Sequence, residues 1–177
     1  MAVTIDGSAN TVTARATESL VRATSIASTS GTVIEFTNIP SWVKRITVML
    51  QGVSTSGSSP LQAQIGLTTY VTTGYASGMG IYNSNTINAA TFTTGIPIDI
   101  ANAGLSAALV RNGCVTINNL SGNIYVATSV FGHSAGSLFG STGGSSVTSN
   151  GVIDRIRITA VNGTDTFDAG SVNIMYE

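Results

Sequence analysis

His133 is the only histidine in the 177 residues and Cys114 the only cysteine, so they bound the chemistry available to the chain. His133 lies in Phe131-Gly132-His133-Ser134 beside a Gly-rich stretch, and with Ser134 and an aspartate it has the residue types of a hydrolase triad. A triad also needs its base oriented by a third group and its nucleophile on a strained turn, and no Gly-x-Ser-x-Gly provides that turn. An exposed or interface histidine is the expectation. Cys114, in Gly113-Cys114-Val115-Thr116-Ile117, reads as a small strand residue rather than a nucleophile. A lone cysteine excludes an internal disulfide and an all-cysteine zinc site.

Asn162, Asp165 and Asp168 share one loop and carry the oxygens that Ca²⁺ favours. Their spacing departs from the ordered ligand ladder of a calcium loop, and Asn162-Gly163 is a hairpin signal, so turn capping is the expected role. Neither a metal nor an organic cofactor is expected. Trp42, following Pro40, has the type of a sugar-stacking platform, but a single Trp entering an apolar strand is expected in the core. Tyr70, Tyr75 and Tyr82, with Asn83, Asn85 and Asn88, combine rigid aromatic area with adaptable amides. That set suits a glycan or receptor contact, and equally a subunit interface. Arg155 and Arg157 share a strand face and are expected either to pair with Glu35 or Asp99 or to lie on a solvated outer face.

Charged residues make up 8% of the chain, against roughly 25% in ordinary soluble domains. Seven basic and eight acidic side chains leave a net charge of −1, without the basic footprint that phosphate contacts need. Nucleic acid is therefore not an expected partner. No apolar run approaches the roughly 18 residues that cross a membrane, and residues 1–7 lack the pattern of a secretory signal. Groups that change protonation or form bonds are scarce, so the expectation is a surface rather than an enzyme. Weak repulsion between copies favours association.

The elements that position these residues read as strand, turn, strand. In residues 42–52, Ile46, Val48 and Leu50 fall on one face and Thr47, Met49 and Gln51 on the other. Residues 54–60 are a loop by every turn signal. Strands are expected over 32–37, 61–66, 69–76, 90–94, 96–100, 107–110, 115–120, 124–131, 152–161 and 171–176. The Gly-rich stretches 78–88 and 132–150 are expected to be surface excursions. About eight to eleven short strands predict an all-β fold, an antiparallel β-sandwich of jelly-roll-like type. Residues 1–30 are small and polar, expected as an amino-terminal arm or an edge strand ahead of a domain over 31–177.

Two segments are specific enough to carry a resemblance. The run Gly31-Thr32-Val33-Ile34-Glu35-Phe36-Thr37-Asn38-Ile39-Pro40-Ser41-Trp42-Val43-Lys44-Arg45-Ile46-Thr47-Val48 resembles the opening of a domain of tailed-bacteriophage fibre and virion surface proteins. The run from Asp154-Arg155-Ile156-Arg157-Ile158-Thr159 through Asn162-Gly163-Thr164-Asp165-Thr166-Phe167-Asp168-Ala169-Gly170 to Tyr176-Glu177 is similar to that domain's close. Val3-Thr4-Ile5-Asp6-Gly7 is similar to short segments recurring in such fibres. The resemblance implies a homotrimeric β-sandwich on the outer surface of a phage particle. About thirty residues precede the domain here, where fibres carry a long shaft. The expectation is a short head fibre or capsid decoration protein contacting the major capsid protein. The competing expectation is a tail-fibre tip that binds a host receptor or surface glycan.

Overall fold

The structure, a computed structural model, describes residues 2–6, 11–15, 20–82, 87–100, 105–134 and 139–177. In chain order its strands are β1 (Ala2–Asp6), β2 (Thr11–Arg15), β3 (Val21–Arg22), β4 (Ile26–Ala27), β5 (Val33–Phe36), β6 (Arg45–Thr55), β7 (Leu61–Leu67) and β8 (Thr69–Tyr70). There follow β9 (Ala76–Tyr82), β10 (Ile87–Phe92), β11 (Ile96–Pro97), β12 (Val110–Ser121), β13 (Ile124–Ser134), β14 (Phe139–Thr148), β15 (Arg155–Ala160) and β16 (Phe167–Tyr176). No helix occurs among the described residues.

Two antiparallel sheets pack face to face as a jelly-roll-like β-sandwich. The larger runs β10-β9-β14-β13-β12-β6-β16-β3, with β4 also on β16; the smaller runs β11-β7-β15-β5, with β8 on β7. The strand β1 pairs with β2 as a hairpin, and β3 and β4 edge the large sheet along β16.

Period-two alternation sends Ile46, Val48 and Leu50 of β6, Val115 and Ile117 of β12, and Val172 and Ile174 of β16 inward. They meet Ile34, Phe36, Leu61, Ala63, Ile65, Ile156 and Ile158 from the small sheet. At about 25 cal/mol per Å² of apolar area removed from water, such a core is the main stabilising term. A second cluster joins Met79, Ile81 and Phe139 of the large sheet to Ile100 and Leu109.

Two expected loops are strands. Residues 78–88 contain most of β9 and the start of β10, and residues 132–150 contain the end of β13 and all of β14. Glycine and serine hide the alternation there. Ser77, Met79 and Ile81 point inward from β9, and Phe139, Ser141, Ser145 and Val147 from β14. The small residues have a packing reason: a Cβ on Gly143 would stand 2.8 Å from Ser129 Oγ and 2.9 Å from the Gly78 carbonyl oxygen. Conversely, the strand expected over 69–76 shrinks to the two residues of β8. Gly113, at φ +153°, marks an irregularity in the β12–β6 register, and a Cβ there would strike the Val130 carbonyl oxygen. Only glycine fits.

Candidate functional site

The outer face of the large sheet is laid out in rows by the pairing of its strands. Cross-strand register aligns Cys114, Val130, Thr142, Gly80 and Ala89 in one row across β12, β13, β14, β9 and β10. A second row holds Thr116, Thr128, Gly144, Gly78 and Thr91, and a third Asn118, Val126, Ser146 and Ala76. These five strands contain one charged residue, Arg111, and it points inward and is buried. Their outer face therefore carries no charge. Its apolar groups are well exposed: Ile87 at 80%, Val130 at 59% and Tyr82 at 45%. Met49 and Thr47 of β6, then Asn173 and Met175 of β16, continue the first two rows, whereas Arg45 of β6 stands opposite Asn118 and Arg22 of β3 opposite Met175, so the charge-free area ends at β12. Threonine and valine favour the pleated backbone, and an uncharged face is cheap to strip of water.

The outer face of the small sheet is built differently. Arg157 of β15 lies between Glu35 of β5 and Gln64 of β7. Its Nε donates to Gln64 Oε1 at 2.8 Å, and Gln64 Nε2 donates to the Thr94 carbonyl at 2.6 Å. The Arg157 guanidinium sits 4.3 Å from the Tyr70 ring centroid, and that of Arg155 5.9 Å. Burial, then the Glu35 charge, pushes the Tyr70 hydroxyl up to about 12, with Arg155 and Arg157 pulling the other way. Hydrogen bonding from Arg155 holds the Asp154 carboxyl below the usual range. This face is a charged and polar cluster tied by the Arg157–Gln64 and Arg155–Asp154 contacts, while the buried Tyr70 hydroxyl has no hydrogen-bond partner among the described residues.

The tyrosine and asparagine set does not form one site. Tyr70 lies under Arg157 on the small sheet, whereas Tyr82 is exposed on the large one. Tyr75 corrects the expectation of a surface contact. It is buried, its hydroxyl accepting from Ile65 N at 3.0 Å and donating to the Val71 carbonyl at 3.1 Å. Burial pushes that hydroxyl up to about 12. Asn83 and Asn85 lie outside the described residues, and Asn88 is half-buried in β10.

His133 also departs from its expected exposure. It is 3% exposed, stacked on Phe139 with centroids 4.3 Å apart. Its Nε2 lies 2.8 Å from Ser141 Oγ, which donates its own hydrogen to the Ile98 carbonyl at 3.1 Å. With that hydrogen spent, Nε2 must carry the ring proton. Burial, then the charge of Arg111, pushes the imidazole down to about 4. Among the described residues Nδ1 has no partner, so the orienting group of a triad is not assembled.

Asp99 does not reach Arg155 or Arg157. It forms a fully buried ion pair with Arg111 and accepts Leu61 N at 2.8 Å. Burial raises the Asp99 carboxyl and Arg111 opposes the rise. Sequence reasoning missed this pair, although period two counted back from Ile117 and Val115 puts Arg111 inside. The Asn162 loop caps itself: Asn162 Oδ1 accepts from Thr164 N and Asp165 N at 3.0 and 3.1 Å, and Asp165 Oδ2 accepts from Ser59 N at 2.9 Å. Asp168 accepts from Ser54 Oγ. Trp42 packs on Tyr176 against the core, centroids 6.0 Å apart.

Compared with protein-family models, with curated proteins and with solved structures, the chain matches none.

Proposed function

We propose that this protein is a non-catalytic structural component of the outer surface of a tailed-phage virion, a short head fibre or capsid decoration protein that works as a homotrimer. The observation that carries the assembly reading is the uncharged outer face of β12, β13, β14, β9 and β10. A face of this kind loses little hydration energy on burial and sets no like charges opposite each other when copies meet. It is the natural surface for a second and third copy of the same chain. The virion reading rests on the resemblance carried by residues 31–48 and 154–177. On this reading the partner is the major capsid protein, and loops at the sandwich ends face outward. A tail-fibre tip binding a host receptor or glycan is the competing reading.

Copy number per purified particle tests the proposal, measured by quantitative mass spectrometry against the major capsid protein. Copies matching the positions of an icosahedral lattice support decoration or head fibre. A handful to a few tens transfers the protein to the tail. None at all overturns both virion readings and leaves a self-associating module.

A further inference from the structure

We infer that the β1–β2 hairpin of one copy adds to the β10 edge of the next, so that three copies exchange hairpins around the axis of the assembly. The inference rests on the assembly reading and names the backbone contact that joins the copies.

A sheet edge presents unpaired N–H and C=O groups, and proteins blunt it with short strands, charge or proline. Among the described residues the other edges of the sandwich follow that rule. The strands β3 and β4 have two residues each and carry Arg22, β8 and β11 have two each with Pro97 in β11, and β5 has four with Glu35 among them. Strand β10 does not follow it. It runs from Ile87 to Phe92 with neither charge nor proline, and it pairs with β9 alone. In an antiparallel edge strand every second residue turns its N–H and C=O away from the partner, so β10 is ready to take another strand.

The hairpin supplies one. The strands β1 and β2 form a sheet of their own, joined to neither sheet of the sandwich. A lone two-stranded ribbon is marginally stable at best in water. Register sets Val3 opposite Ala14 and Ile5 opposite Val12, so the larger apolar residues of both strands share one face. Its charges, Asp6 and Arg15, stand at strand ends, and β1 is five residues long against six for β10.

The positions of the two edges make the exchange intermolecular. Val21 of β3 pairs with Tyr176 of β16, so the hairpin joins the sandwich at the edge opposite β10. At about 4.8 Å per strand the eight-strand path from β10 to β3 is about 34 Å wide. The chain from Arg15 to Val21 spans at most about 21 Å. It falls short of its own β10 and reaches the edge of a copy set beside β3. A contact between two different edges is heterologous, and such contacts close into a ring when the rotation allows. Three uncharged faces turned to one axis make a three-sided prism, and at each corner the β3 edge of one copy meets the β10 edge of the next.

Amide hydrogen exchange of the full chain, with sedimentation equilibrium on the same samples, tests it. In the oligomer the outward amides of residues 87–92 should exchange at least about a hundredfold slower than in the diluted monomer. Thr4→Pro removes a β1 donor; it should abolish that protection and weaken association about tenfold at unchanged melting temperature. Thr4→Val, which keeps the backbone N–H, should behave as wild type. An oligomer whose residues 87–92 exchange as fast as in the monomer, or whose protection survives Thr4→Pro, would overturn the exchange and leave the assembly reading standing. A wild-type monomer at every concentration would overturn both. Dissociation by Thr4→Pro but not by Val130→Asp would uphold the exchange and contradict burial of the uncharged face.

Discussion

The outer faces of the two sheets belong to one sandwich and are made by the same alternation, yet they are opposites. On the small sheet, Arg157 donates to Gln64 and lies over the Tyr70 ring, Arg155 pairs with Asp154, and Glu35 stands beside Arg157 in register, so opposite charges are neighbours there. On the large sheet, β10, β9, β14, β13 and β12 show no charge at all, while Ile87 and Val130 stand exposed. One face is finished by its own side chains. The other is left uncharged, with apolar side chains standing in solvent. Charge segregation of this kind, in a chain with so few charges to place, is the physical basis for reading the protein as something that assembles.

The comparison can be broken most sharply at Val130, 59% exposed at the middle of the uncharged face. Val130→Asp adds a charge that stays solvated in the free chain but is buried and unpaired between copies. It should weaken self-association at least about a hundredfold in sedimentation equilibrium and barely move the melting temperature.

Acid acts next, through the interior behind the uncharged face. The imidazole of His133 is at about 4 folded against 6.5 in the open chain, so above pH 6.5 it is neutral in both states and contributes no pH dependence. As the pH falls from 6.5 towards 4 the unfolded chain takes up the proton first and stability drops, by up to about 3 kcal/mol, then levels off. The neighbouring charges are Arg111, which adds to the shift that burial drives, and Asp99, whose raised carboxyl works in the opposite direction as the pH falls. Urea denaturation of the wild type and of His133→Gln between pH 7 and pH 4 checks it, the variant losing that slope.

Arg157→Ala sharpens the other side. It removes a hydrogen bond to Gln64 and the contact with Tyr70, and should cost about 1 kcal/mol in denaturation without changing the oligomeric state. The smallest effect is that of salt. Raising sodium chloride from about 0.05 to about 0.5 M should leave the association constant nearly unchanged, because the seam carries no charges to screen.

The two faces were not equally legible in the sequence. Strand β6 could be read directly, since Ile46, Val48 and Leu50 are large and apolar and Thr47 and Met49 interrupt them. Strands β9 and β14 could not, because Gly78, Gly80, Gly140, Gly143 and Gly144 look like loop residues. Their extended state is enforced by ladder partners on both sides and by close approach, as at Gly143 against Ser129. His133 was misplaced for a related reason. Its Gly-rich neighbourhood suggested exposure, whereas counting by two from Tyr125 through Ala127, Ser129 and Phe131 puts it inside, as observed. The scarcity of charge was plain from composition, but its sorting between faces depends on register.

The measurement that tests the account most directly is the solution mass of the wild-type chain beside Val130→Asp, by sedimentation equilibrium at micromolar concentration. The account predicts a species of three times the 18.0 kDa chain mass for the wild type and a folded monomer for the variant. A wild-type monomer at every concentration, or a Val130→Asp oligomer as tight as the wild type, would contradict it.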